Sequence, residues 1–315
     1  MNTKLIHRSF VLAIVILTAN AISLNAQAAK PAPLRSIMVS TQPDATVWID
    51  GVRYGKTDKT GTLAITSVAA GVHTLRVRAD GFKERSQPLT AIQKGAVSVP
   101  LVKTTDEAEL AFQEAERLVA SDREKSAEAY RKAVKLRPVY PEALIGLARV
   151  LNETGDLEEA ESALATARKQ RPGYAEASAI QGRIYKDNGD EPKAVAAFQR
   201  AITEGKGFQP EAYAGLGLLY KEKAESFGSS GDFEKETASY ADAAKNLKMA
   251  VKQLSGAPDA IVIYQLLGLV YERQKKYAEA IATYEEFLRI FPKSNEADAV
   301  RSFIIQLKKD QTPQD

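Results

Sequence analysis

The stretch GVRYGKT, Gly51 to Thr57, holds the residue types that grip phosphate: glycines that let backbone amides converge, a lysine for charge and a hydroxyl for a metal ion. Such a loop needs four residues between its first glycine and the Gly-Lys pair, with a helix directly behind to aim its dipole at the anion. Here three residues intervene, and DKTGTLAIT after them reads as a turn and a strand. Nucleotide binding is therefore not expected. His73 has no paired carboxylates or nucleophile motif near it and reads as a surface strand residue. The sequence has no cysteine, which removes disulfides, thiol catalysis and thiolate metal sites. Acidic runs such as DLEEAE at 156–161 solvate the outer face of a helix. No catalytic residue, metal or cofactor is expected, and no enzyme activity.

What remains are side chains that recur at a fixed step. From about Glu107 the sequence is rich in alanine, glutamate, lysine and leucine with helical periodicity. Pro138 to Pro172, Ala148 to Gly182 and Ala160 to Ala194 are each 34 residues apart. A fixed period of this length predicts stacked units. Within one unit, Leu144, Leu147, Ala148 and Leu151 stripe a first helix, and Gly155 ends it in the left-handed conformation. Asp156 then caps a second helix that packs Ala160, Leu164 and Ala167 and stops before Pro172. The marks recur as Gly182, Tyr185, Gly189, Ala194, Phe198 and Ala201, as Tyr213, Leu216, Gly217 and Tyr220, and as Tyr264, Leu267, Gly268, Tyr271, Ala280, Tyr284 and Pro292. This pattern resembles the tetratricopeptide repeat, and the resemblance implies an all-α solenoid over 104–309. Five helical hairpins are expected at about 107–140, 141–174, 175–209, 210–260 and 261–294, followed by a cap helix at 295–309 with Val300, Phe303, Ile304 and Leu307 on one face.

Stacking turns equivalent positions into ladders on the concave face. One ladder reads Arg149, Arg183, Leu218, Leu269, and the row one turn on reads Asn152, Lys186, Lys221, Glu272. Arg149 with Arg183, and Asn152 with Lys186 and Lys221, are expected to form a basic, amide-bearing strip inside an acidic domain. The resemblance implies a groove that holds an extended peptide of a protein partner, here an acidic or C-terminal segment. Some family members use a lysine–asparagine carboxylate clamp whose own pattern this chain does not reproduce. A merely solvated groove is the alternative. The fourth unit departs from the period, since Gly217 to Gly268 spans 51 residues. Either both helices of that hairpin run on for two turns and meet at GSSGD, or a flexible insertion fills 221–239. The first case makes Phe227, Gly231, Asp232 and Phe233 the tip of a protruding hairpin.

Before the helices, residues 34–103 alternate in short segments separated by glycine, proline and aspartate, as in a small antiparallel sandwich. Asp50 and Gly51 are expected to form a two-residue turn pairing Ile49 with Val52 and Trp48 with Arg53, the latter as a cation beside a ring. Leu75, Val77 and Ala79 are expected to face in, Arg76 and Arg78 out. Pro43 and Ala45 followed by VWIDG, then GKT at Gly55 to Thr57, AGVH at Ala70 to His73 and DGF at Asp80 to Phe82, resemble the PEGA domain, which implies a small β module of envelope and surface proteins. PDA is one residue shorter than the motif that names that family, and Asp58 stands where it has a proline.

The N-terminal segment has Lys4 and Arg8 ahead of the apolar run Phe10 to Leu17 and small residues at Ala26 and Ala28. It reads as a signal peptide, 1–28, cut after Ala28, the run being short for a bilayer span. Residues 310–315 read as a disordered tail. An exported location is expected, periplasmic, envelope-associated or secreted, with no membrane span after cleavage. Residues 30–103 carry 11 basic and 5 acidic side chains, and 104–315 carry 30 and 35, so the two halves have opposite sign. The basic half suits an anionic envelope polymer or a protein, and it lacks the interleaved aromatics of a nucleic-acid binder. These features predict a non-catalytic scaffold binding a protein through its groove. An assembly subunit of an envelope complex, docking by its outer face and long hairpin, is the alternative, with an enzyme more remote.

Overall fold

The computed structural model describes residues 34–310. The expected signal segment and residues 311–315 of the expected tail lie outside them, while Asp310 closes the last helix. Seven strands come first among the described residues: β1 Arg35–Ser40, β2 Thr46–Ile49, β3 Val52–Lys56, β4 Thr62–Val68, β5 His73–Arg78, β6 Arg85–Leu89 and β7 Gly95–Ser98. They form two sheets, β4-β1-β7 and β3-β2-β5-β6. Period-two alternation puts Ile37 and Val39 of β1, Val47 and Ile49 of β2, and Leu75 and Val77 of β5 into one core. Asp50 and Gly51 both take positive φ, as a two-residue hairpin turn requires, and pair Ile49 with Val52 and Trp48 with Arg53. The sandwich is not antiparallel throughout, because β7 runs parallel to β1. Alternation sets which side chains face inward but carries no strand direction.

The Gly-Lys-Thr sequence ends β3 and is followed by a turn and β4, with no helix behind it. The buried Thr57 hydroxyl accepts from the Ala45 amide at 2.8 Å and donates to the Gln42 carbonyl at 2.7 Å, so this threonine locks a loop. Asp58 accepts from the Thr60 hydroxyl and the Thr62 amide, and these bonds hold its carboxyl down to about 2.

The helices are α1 Glu107–Leu118, α2 Arg123–Leu136, α3 Pro141–Thr154, α4 Leu157–Gln170, α5 Ala175–Asp187, α6 Glu191–Glu204, α7 Pro210–Ser230, α8 Phe233–Leu254, α9 Ala260–Arg273, α10 Tyr277–Ile290 and α11 Ala297–Asp310. They pack as successive hairpins whose contacts pair glycine with a bulky side chain. A Cβ on Gly182, Gly217 or Gly268 would lie 2.6, 2.6 or 2.3 Å from Phe198, Leu247 or Tyr284 of the second helix. Between units, Gly146 takes Tyr130 and Gly215 takes the tip of the Phe198 ring in the same way. Leu247 opposite Gly217 fixes the register of α8, with Ala243, Leu247 and Ala250 in the key slots. The insertion of the fourth unit is helical, for α7 and α8 have 21 and 22 residues against 14 in α9 and α10. The excess is about two turns, or roughly 10 Å of projection.

Asp122, Asp190 and Asp232 cap their helices by accepting the amides of Lys125, Lys193 and Lys235. Asp156 holds the same position, but its carboxylate accepts from the Thr154 hydroxyl and makes no cap bond. The lysine side chain first, and the capped amide second, hold each of the three capping carboxyls below its ordinary value. A depressed folded pKa contributes stability that is present above the unfolded value, about 3.9, and is lost as pH falls through the folded one. We expect the melting temperature to fall below about pH 4. Replacing all three with asparagine should flatten part of that fall in thermal scans.

On α11, Val300, Ile304 and Leu307 are buried as expected, but Phe303 is half exposed, its ring tilted against Tyr284 at 6.0 Å. With no further helix beyond α11 among the described residues to cover that edge, the apolar stripe is wider than the surface available to it.

The β domain docks on the solenoid at two separate places. Arg78 does not face solvent: its guanidinium lies over the rings of Phe112 on α1, at 4.4 Å, and Trp48, at 5.3 Å, and pairs with Glu84 at 2.5 Å and Glu116 at 3.7 Å. Burial opposes its charge, but Glu84 and then Glu116 outweigh that cost, so its pKa is raised. Beside it, Gln113 accepts from the Gly81 amide and donates to the Phe82 carbonyl, both at 2.8 Å. The second contact is with the turn between α8 and α9. Tyr54 donates to the Ser255 carbonyl at 3.3 Å, Ser67 donates to the Gly256 carbonyl at 3.3 Å, and Arg53 lies 3.9 Å from Asp259. Arg53 is thus not the cation over Trp48; Arg76, at 4.2 Å, takes that place, being on the neighbouring strand and the same face. The β domain therefore spans from the first hairpin to the junction of the fourth and fifth.

Candidate partner-binding groove

Helices α3, α5 and α7 touch in succession, which brings equivalent turns side by side. Arg183, Lys186 and Asp187 of α5 and Glu211 and Leu218 of α7 line one cleft of about 240 Å³, whose apolar floor is Phe198, Ala214 and Gly215. The absence of a side chain on Gly215 lets Phe198 reach the floor. Leu269 and Glu272 lie on α9 outside this cleft, and Glu272 accepts a hydrogen bond from Tyr284 at 2.6 Å.

The ladder is not a basic strip. Arg149 pairs with Glu176 at 3.1 Å and Glu211 at 2.8 Å, Arg183 faces Glu153 at 3.8 Å, and Lys186 faces Glu222 at 3.2 Å and Asp187 at 3.8 Å. Lys221 pairs with Glu225 at 2.7 Å on its own helix, and Asn152 donates to Asp187 at 3.0 Å. Burial opposes the charge of Arg149, yet Glu211 and then Glu176 raise its pKa. Two buried polar atoms of the strip, Arg149 Nε and Asn152 Oδ1, have no hydrogen-bond partner. The surface carries both signs, with Arg183 the most loosely paired of the groove's arginines.

The carboxylates were legible in the sequence. Glu142, Glu176 and Glu211 recur one unit apart in PEA, AEA and PEA at each helix start, and stacking delivers the last two to Arg149. Reading only the cationic rows missed them. Phe198 was also missed as a floor because it already had a packing role, and Gly215 because it is not one of the recurring marks.

At the hairpin tip, Gly231 ends α7 in the left-handed conformation and Asp232 caps α8. Phe227 is half-buried, with the Lys223 and Lys235 ammonium groups 5.9 and 5.4 Å from its ring centre. Phe233 beside it is 69% exposed. His73 is no surface bystander: its ring bonds Asp50 Oδ2 at 2.6 Å and the Ala69 carbonyl at 3.0 Å, tying two loops together. Among the described residues no group of three or more His, Asp or Glu side chains is placed to hold a metal ion, and no helix is long and apolar enough to cross a membrane.

Family models place a PEGA domain on residues 35–104 and tetratricopeptide repeats on 107–184 and 262–294. The chain carries a PEGA domain and tetratricopeptide repeats. Between the two matched repeat segments, α6 to α8 continue the same packing of glycine against a bulky side chain, so the helical solenoid is unbroken. Yeast Tom70 is similar at 17% identity with a TM-score of 0.52, covering 66% of this chain and 41% of its own. MamA (22% identity, TM-score 0.42) covers 62% of this chain and 96% of its own. A thermophilic TPR protein of Thermus thermophilus (19% identity, TM-score 0.45) covers 64% and 99%. No curated protein matches the chain. Tetratricopeptide repeats bind protein partners, and the fold is that of a protein-interaction scaffold, typically without catalysis.

Proposed function

We propose that this is an exported, non-catalytic scaffold whose groove over α3, α5 and α7 holds an extended, acidic or C-terminal segment of a protein partner. The PEGA domain serves as an accessory that contacts the envelope or the same partner. The cleft at Arg183, Lys186 and Leu218 carries this reading, because it joins an apolar floor to a cation that its own chain pairs only at 3.8 Å. An aliphatic side chain fits against Phe198 and Leu218 while a neighbouring carboxylate draws Arg183 from Glu153. Arg183→Glu with Lys186→Glu should weaken capture of the partner from an envelope extract by roughly tenfold or more and remove its salt sensitivity. Unchanged capture in that variant, with loss on deleting 226–233, would shift binding to the long hairpin.

That second outcome is the assembly-subunit reading, which the exposed Phe233 at the projecting tip favours. Export has its own test, since N-terminal sequencing of the protein recovered from its host should begin at Ala29.

A further inference from the structure

The second docking contact reaches one end of the PEGA domain at Val52, Arg53 and Ser67 but leaves the tips of two connections there uncovered. β1, β3, β5 and β7 run away from this end and β2, β4 and β6 run toward it, so the Asp50–Gly51 turn and the connections 69–72 and 90–94 all lie there. The chain also enters β1 here. Contacts to the solenoid use residues 52–54, 67 and 78–82, which leaves the tips of the two connections clear. Each tip presents one large aliphatic side chain to solvent, Val72 at 71% and Ile92 at 88% exposure.

Arg35 fixes these tips relative to each other. Its guanidinium donates to the Gly71 carbonyl at 2.8 Å from one connection and to the Thr90 carbonyl from the other, and the residue is only 6% exposed. Both partners are neutral, the Arg35 Nε has none, and among the described residues no carboxylate pairs with this buried cation. Lys94, two residues beyond Ile92, is exposed. The nearby acid, Asp50, is engaged by His73 and the Thr74 amide. The end therefore combines two exposed aliphatic points with two cations, Arg35 and Lys94, against the one carboxylate of Asp50, inside a segment, 30–103, that is itself basic.

We propose that this end of the PEGA domain docks on an anionic lipid bilayer, with Val72 and Ile92 seated among the headgroups. Aliphatic tips gain by leaving water, and cations near the surface gain from anionic lipid. The inference takes from the proposed function only that the chain is exported, and it is independent of the groove and its partner. Docked in this way, the PEGA domain would hold the solenoid at the membrane surface.

The test is co-sedimentation of the chain from Ala29 onward with vesicles of phosphatidylglycerol and phosphatidylcholine, and with phosphatidylcholine alone. Binding is expected to the anionic vesicles and to weaken with salt. Val72→Asp with Ile92→Asp should lower the partition coefficient roughly tenfold or more, and Lys94→Glu should lower it in part. Unchanged helical signal and melting temperature in each variant would show that the fold is intact. Wild-type chain that stays in the supernatant overturns the proposal, as does a double aspartate variant that sediments like wild type. A detergent-solubilised protein captured through the tips, with no vesicle binding, overturns it in favour of a protein contact. Failure of export would appear separately, as an uncleaved N-terminus.

Discussion

Replacing Phe198 by alanine is expected to cost about 3–5 kcal/mol and to empty the floor of the groove in the same step. The ring is 1% exposed and serves two interfaces, with Gly182 of its own hairpin against one part and Gly215 of the next against another. Removing it leaves a cavity that neither backbone can collapse to fill, since both helices are also held by Ala194, Ala201 and Leu216 in the same cluster. In a stacked array each unit is stable only through its neighbours, so the loss should be felt as early exchange of the α5 and α7 amides. A size exchange sharpens the expectation. Gly215→Leu alone drives a side chain into the ring, whereas Gly215→Leu with Phe198→Ala refills the space and gains helix propensity, recovering part of the loss. Thermal melts and hydrogen exchange on the four proteins of that cycle would measure the coupling. Additive losses would show that Phe198 and Gly215 do not share a contact.

Arg78→Met is expected to cost about 2–3 kcal/mol and to uncouple the two domains. The side chain is nearly buried between Trp48 and Phe112, and it is the counter-charge of both Glu84 and Glu116. Methionine keeps the stem and the ring contacts but removes the shared counter-charge, leaving Glu84 to Arg76, at 3.4 Å, and Glu116 to the Tyr130 hydroxyl. Their partial exposure keeps the figure below that of a fully buried pair. Wild-type protein should unfold in one calorimetric transition, since the PEGA domain touches the solenoid both at α1 and at the α8–α9 turn. The variant should show two transitions, with new proteolytic cleavage near Lys103. A single transition at a lower temperature would mean that the contact at Ser67, Ser255 and Gly256 is sufficient to couple the domains.

Local rules settled much of this molecule. The 34-residue step, the Asp50–Gly51 turn and the inward alternation of Leu75 and Val77 are properties of short windows, where backbone geometry and burial act on neighbours in sequence. Even the long hairpin was readable as one of two choices, and the unbroken helices α7 and α8 decide between them. Charge was misread for a physical reason. A side chain's sign is local, but the potential of a groove depends on what the next unit brings to it, and Glu176 and Glu211 reach Arg149 from two different hairpins. Arg76, Arg78 and Arg53 show the same limit: alternation placed the first two outward from their sheet, and packing then covered Arg78 with α1 and exchanged the partners of Trp48.

By itself, the sequence determined a PEGA module followed by stacked helical hairpins, because periodicity, turn residues and helix ends act over a few residues. Only the tertiary structure decided that the PEGA domain spans from the first hairpin to the fourth and fifth, that the groove is charged in both signs, and that two exposed aliphatic tips share one end of the PEGA domain. These depend on contacts between residues as far apart as Tyr54 and Ser255, where no spacing rule operates and the curvature of the stack selects which surfaces meet.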